Sequence, residues 1–154
     1  MGNAEQRLRE LGIELPAAPT PLGTYVEAVQ TGNLLFLSGM LPVVNHKAKY
    51  VGRVGRELDL AAGRDAAATA ALGVLAAARQ HLGSLDRVTR VIRLVVYIAT
   101  AGDAVDQPNV ADAASDLFRD VFGVEKASVR VIVGVASLPL NVPVELEVVF
   151  EVGE

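Results

Sequence analysis

A helix of almost unbroken alanine, running from Asp59 to Gly83, limits what this chain can fold into more than any other segment. Asp59 stands where an N-cap is wanted and Gly83 where a helix stops, while Leu72, Val74, Leu75 and Leu82 sit among alanines with few charges. A helix apolar almost all round must be covered on more than one side, and its alanines let a sheet or a second helix approach closely. The rest of the chain must supply that cover.

Strands able to do so lie on both sides of it. Arg87 to Ala99 (RVTRVIRLVVYIA) begins with spaced arginines and becomes a continuous β-branched and aromatic run, the pattern of a strand buried along much of its length. Asn109 to Phe122 has apolar residues at 110, 113, 114, 117, 118 and 121, a helical spacing closed by Gly123. Two more strands are expected around 128 to 136 and 142 to 152. Upstream, Tyr25 to Val29 and Leu34 to Ser38 flank Thr31, Gly32 and Asn33 as a β-hairpin. Pro42 to Glu57 is polar and glycine-spaced, a loop with a short strand near Tyr50. Ala4 to Leu11 is a short helix ending at Gly12, and the prolines at 16, 19 and 21 exclude regular structure between that helix and the hairpin.

The order hairpin, long helix, strand, helix, strand, strand predicts an α+β fold with a mixed sheet and two helices packed on one face. Residues 1–154 are expected to form one domain, with 1–20 as an N-terminal helix and proline-rich lead-in. The stretches 94 to 98 and 131 to 135 are apolar at every position, so both of their faces are expected to be dry. Association of several copies through the uncovered sheet face is the simplest way to achieve that.

Composition removes several functions. With no cysteine, disulfides, thiolate catalysis and cysteine-based zinc sites are excluded. A net charge of −4 gives no global attraction to nucleic acid. Met1 to Pro16 carries Glu5, Arg7, Arg9, Glu10 and Glu14 and lacks the core of a signal peptide, no stretch is expected to span a bilayer, and a cytoplasmic location is the expectation. His46 and His81 have no partner at ligand spacing, so no metal site is expected. Ser38 lacks the surroundings of a serine nucleophile, and Gly52 to Gly55 (GRVG) lacks the Lys-Ser/Thr of a phosphate loop.

Two charges remain in segments where charge is expensive. Arg130 opens the run VRVIVGV, and Glu145 interrupts VPVELEVVFEV after a Leu-Pro turn at 138 and 139. A guanidinium binds a carboxylate bidentately, so Arg130 can hold a small acid while a nearby glutamate acts as general base toward water. The competing reading is a structural ion pair across the sheet or an interface, and the residues alone favour it. Tyr25 follows a PLG turn, where its hydroxyl or ring is either presented to a ligand or packed.

PLGTYVEAVQTGNLLFLSGMLP, the alanine helix with LGSLDRVTRVIRLVVYIA after it, and VRVIVGVASLPLNVPVELEVVFEV resemble, in order, the blocks of the Rid/YjgF family of reactive-intermediate imine deaminases, from about Pro21 to Val152. The resemblance implies a chorismate-mutase-like fold assembled as a homotrimer, with ligand sites in the clefts between subunits. It implies that Arg130 binds the carboxylate of a 2-imino acid and that Glu145 positions or activates the hydrolytic water, releasing ammonia and a 2-oxo acid. Tyr25 matches the family's site tyrosine, and Gly39 the glycine whose backbone lies at the cleft. Ile132 stands where a thiol or small side chain is usual and is expected to narrow the cleft, and Met40 stands where glutamine is common. No cofactor is implied, and the partner is a small 2-imino or 2-oxo acid. A non-catalytic protein binding small carboxylates in the same cleft is the alternative. The endoribonuclease label of some relatives is disfavoured by the acidic composition and the lack of His/Lys clusters. The N-terminal helix and LGIELP resemble a longer subgroup.

Overall fold

The computed structural model describes residues 3–103 and 105–154. Helix α1 (Ala4–Glu10) is capped by Asn3, whose side chain accepts from the Gln6 N–H. A hairpin of β1 (Ala28–Thr31) and β2 (Leu34–Leu37) turns at Gly32, whose φ of +58° glycine adopts without penalty. A small second hairpin, β3 (Val43–Val44) and β4 (Lys47–Ala48), occupies the expected loop. Then come α2 (Leu60–Leu82), β5 (Val88–Ala99), α3 (Gln107–Phe122), β6 (Val129–Val135) and β7 (Val144–Val152).

Helix α2 starts and ends on the residues its sequence indicates. The Asp59 side chain accepts from the Ala62 N–H, and Gly83 closes the helix in the left-handed conformation with φ +83°. Its buried residues are mostly alanine, and they pack against α3 on one side and the sheet on another. By length and composition α2 is apolar enough to cross a bilayer, which corrects the expectation that no stretch is. The alanines explain both facts: they raise mean hydropathy, and they let this helix sit at the centre of a packed core.

The five-stranded sheet has the order β1-β2-β7-β5-β6. All neighbours are antiparallel except β5 and β6, which α3 connects as a parallel pair. The last strand alternates cleanly: Val144, Leu146, Val148, Phe150 and Val152 are buried under the helices, while Glu145, Glu147, Val149 and Glu151 point to the other face. Among the described residues no layer covers that other face. One row across it runs Val29, Phe36, Val149, Arg93, Val129, of which Val29, Phe36 and Val129 are 53%, 43% and 69% exposed.

Two expectations need correction. Three helices, not two, form the helical layer, because α1 packs on α3 through Ala4 and Leu8 and is tied to α2 by the Glu5–Arg79 ion pair at 2.6 Å. Leu8, 2% exposed, belongs to the core. The stretch 131 to 135 is not dry on both faces: β6 is the sheet edge, and Val131 is 45% exposed, whereas Leu94 to Ile98 on the interior strand β5 are mostly buried.

Candidate active site

Strand β2 does not end cleanly at Leu37. Phe36 pairs with Val149, and Met40 pairs again with Leu146 through reciprocal backbone hydrogen bonds of 2.7 and 2.9 Å. Leu37, Ser38 and Gly39 therefore face only Glu147 and Val148, which makes a β-bulge at the end of the hairpin. Ser38 is held in it by its N–H, which donates to the Glu27 carbonyl at 2.9 Å, and by its hydroxyl, which donates to the Val26 carbonyl. Its hydroxyl is thus a structural group.

Gly39 and Glu145 come together at this bulge. A Cβ on Gly39 would lie 2.1 Å from Oε2 of Glu145, so only glycine leaves room for the carboxylate against the backbone here. Burial, with Glu147 beside it, pushes the Glu145 carboxyl above the usual glutamate range. A carboxyl so placed is a better base than an ordinary one once ionised. Gly39→Ala is expected to drive this side chain toward solvent, so that its pKa, followed by carbon NMR, falls toward the ordinary value; an unchanged titration would contradict the packing.

Tyr25 completes this cluster. Its hydroxyl accepts from the Leu22 N–H at 2.9 Å, and its own proton remains available to a ligand. Tyr25, Gly39 and Glu145 line one open cavity of about 360 Å³ with Ser38, Leu41 and Pro139. The Pro139–Asn141 turn forms part of its rim, with Leu140 and Asn141 both left-handed at φ +57° and +55°.

Arg130 and Ile132 lie elsewhere. Arg130 aligns with Leu94, which aligns with Val148, so the arginine is on the helical face; Glu145 aligns with Tyr97 and Val133 on the open face. Within one chain the two charges are therefore on opposite sides of the sheet. Nη1 of Arg130 donates to Asp112 Oδ1 at 2.7 Å and to Ser115 Oγ at 3.1 Å, both on α3. Ile132 packs against the core, and its side chain is not part of the Glu145 cavity.

Two further residues emerge that the sequence did not single out. Asp112 is the arginine's acidic partner, a position that only the docking of α3 on β6 reveals. Glu27, just before β1, lines a second cavity that adjoins the first, and burial pushes its carboxyl up. The histidines are not part of the Glu145 cavity: His46, exposed in the β3–β4 turn, lines the second cavity, and His81 is 3.3 Å from Gln30. Among the described residues no three carboxylate or histidine side chains converge as metal ligands would.

Comparison with known proteins accords with this architecture. Residues 5–152 match the family described as "YjgF/chorismate mutase-like, putative endoribonuclease". Protein TCP17 of Trypanosoma cruzi is 39% identical over 151 residues, covering 97% of this chain and 94% of that protein. A 2-iminobutanoate/2-iminopropanoate deaminase of Dermatophagoides farinae is 30% identical over 136 residues, 88% of this chain and 91% of its own. A crystal structure of a protein of unknown function from Agrobacterium tumefaciens superposes with a TM-score of 0.89 at 38% identity, covering 97% of this chain and 92% of that one.

Proposed function

The chain belongs to the YjgF/chorismate mutase-like family, and from that premise we propose that it hydrolyses reactive 2-imino acids to 2-oxo acids and ammonia. The observation that carries the reading is the half-site at the bulge, where a half-buried carboxylate of raised pKa, a tyrosine hydroxyl and a glycine backbone meet in one cavity. Similarity to the imine deaminase of Dermatophagoides farinae supports it.

Among the described residues the half-site has no cation for the substrate's carboxylate, because Arg130 is on the other face. A second copy supplies it. The edge strand β6 and the apolar residues Val29, Phe36 and Val129 on the open sheet face give copies of the chain surface to bury, and a homotrimer closes such a contact three times over. Both contacts of Arg130 with α3 fall on Nη1, so the Nε and Nη2 edge of the fork is the side that a carboxylate takes. In this reading Asp112 and Ser115 hold the arginine in place.

In the resulting cleft Glu145 takes a proton from water as its oxygen attacks C2 of the imine. The proton passes from Glu145 to nitrogen to give a carbinolamine; the same carboxylate then moves the carbinol hydroxyl proton to nitrogen, and the C–N bond breaks as the C=O bond forms, releasing ammonia and the 2-oxo acid. Tyr25 is placed to hydrogen-bond the intermediate.

The test generates 2-aminoacrylate or its homologue with a pyridoxal-phosphate dehydratase and follows imine decay by semicarbazide trapping. Wild-type protein is expected to accelerate the decay, and Arg130→Ala to lower kcat/KM by about 10- to 100-fold, mainly through KM. Sedimentation should return the mass of three 16.2 kDa chains. Unchanged decay with the wild-type protein removes the deaminase reading, and a monomer at micromolar concentration removes the shared cleft.

A further inference from the structure

We propose that the cavity under the proline-rich strap receives the substrate's side chain, so that this protein is selective for 2-imino acids carrying an isobutyl, methylthioethyl or benzyl group over the smallest ones. The inference rests on the deaminase reading and assigns its substrate class.

The cavity has a volume of about 350 Å³, within the range of small-molecule sites. Its outer wall is the strap, chiefly Pro16, Ala18, Pro19 and Leu22. Its floor is Met40, whose sulfur approaches Gly73 of α2 so closely that a Cβ there would meet it at 3.0 Å. The β3–β4 hairpin, with Val43 and Val44, forms the far wall.

The strap is an ordered wall for physical reasons. Ile13 and Leu15 pack against the core at its start, and the Leu22 N–H is bonded to the Tyr25 hydroxyl at its end. Prolines at 16, 19 and 21 fix φ between those anchors and lower the entropy lost in holding the segment in place. An apolar cavity formed in advance loses little on filling.

Adjacency gives the occupant. Leu22, Tyr25, Gly39 and Leu41 line both this cavity and the one that holds Glu145. In the proposed pose the group attached to the carbon attacked beside Glu145 passes Tyr25 into these mainly apolar surroundings. Glu27 is the one carboxylate in the wall among the described residues, and Asn45 and His46 line it as well. Burying an isobutyl or benzyl group in place of a methyl is worth about 10- to 100-fold in kcat/KM.

Imines of this class arise by two-electron oxidation of an amino acid at its Cα–N bond, because their side chains carry no leaving group for β-elimination. A flavin amino-acid oxidase consuming dioxygen therefore generates them for assay, with 2-iminopropanoate from alanine as the small reference, and semicarbazide trapping reads their decay. The expected ratio of kcat/KM, 2-imino-4-methylpentanoate over 2-iminopropanoate, is about tenfold or more. Ala18→Trp from the strap, and Val44→Trp from the opposite wall, should each lower that ratio about tenfold. A ratio near one, or one that neither variant changes, overturns the side-chain cavity and leaves the deaminase reading standing. If no imine is hydrolysed the deaminase reading falls, and calorimetry with the product acids then decides the cavity alone. Tighter binding of 4-methyl-2-oxopentanoate than of 2-oxopropanoate, weakened by Ala18→Trp, supports it, and equal or absent binding overturns it.

Discussion

Glu145→Gln is expected to lower kcat/KM for imine hydrolysis by about one hundred- to ten thousand-fold, the range of a lost general base, while leaving the protein at least as stable at neutral pH. The two effects have one cause. Burial, then Glu147, raises the Glu145 carboxyl pKa in the folded protein above its unfolded value, so the folded state holds the proton more tightly. The ionised carboxylate thus destabilises the fold at neutral pH, and that penalty disappears as pH falls through the folded pKa. Glutamine is neutral throughout and escapes the penalty. In the wild type, kcat/KM should fall on the acid side with a midpoint above the ordinary glutamate range, because the base must be ionised to act. The variant should lack that limb. Rates measured from pH 4 to 8 with urea melts at pH 7 test both halves: an inactive variant that is also unstable would assign Glu145 a structural role, and an active one would remove it from the chemistry.

The pairing of Glu145 with Gly39, rather than with Arg130, shows where sequence stops being informative. Asp59 and Gly83 marked the ends of α2 because capping is local chemistry, and the alternation of Val144 to Val152 marked a strand with one dry face because side chains in a strand repeat every two residues. Both are short-range properties. The relation of Arg130 to Glu145 depends on a turn in which Leu140 and Asn141 are left-handed, and on β5 lying between β6 and β7. Neither can be counted from the fourteen intervening positions, so the face of each charge was hidden even though its presence in an apolar run was plain. The bulge at Gly39 was hidden for a similar reason: it exists only as a mismatch between two strands distant in the chain. Helix α1, seven residues long, was legible as a helix, but its place in the core rests on Ala4, Leu8 and one ion pair. The strap cavity could not be inferred from its prolines, which say what the segment cannot form and not what it covers.

Phe150→Ala is expected to produce the largest loss of stability, about 3–5 kcal/mol. Phe150 is fully buried and meets Phe122 at 5.7 Å and Phe118 at 6.2 Å, both edge to face, so it joins the central strand β7 to α3. Its removal forfeits the transfer of a large ring from water and leaves a cavity that the two neighbouring rings only partly fill, since they are fixed on a helix packed against α1 and α2. Urea denaturation should show a lower midpoint with an unchanged slope, the sign of lost stability without a change in the surface exposed. The ring faces the helices and not the open sheet face, so the deficit should be the same at two protein concentrations a hundredfold apart, whereas a deficit that grew on dilution would mean that the substitution acts on subunit association. Phe36→Ala, on the exposed row, is the matching opposite case: in the proposed trimer its effect should depend on concentration, because Phe36 is 43% exposed on the face assigned to a second copy.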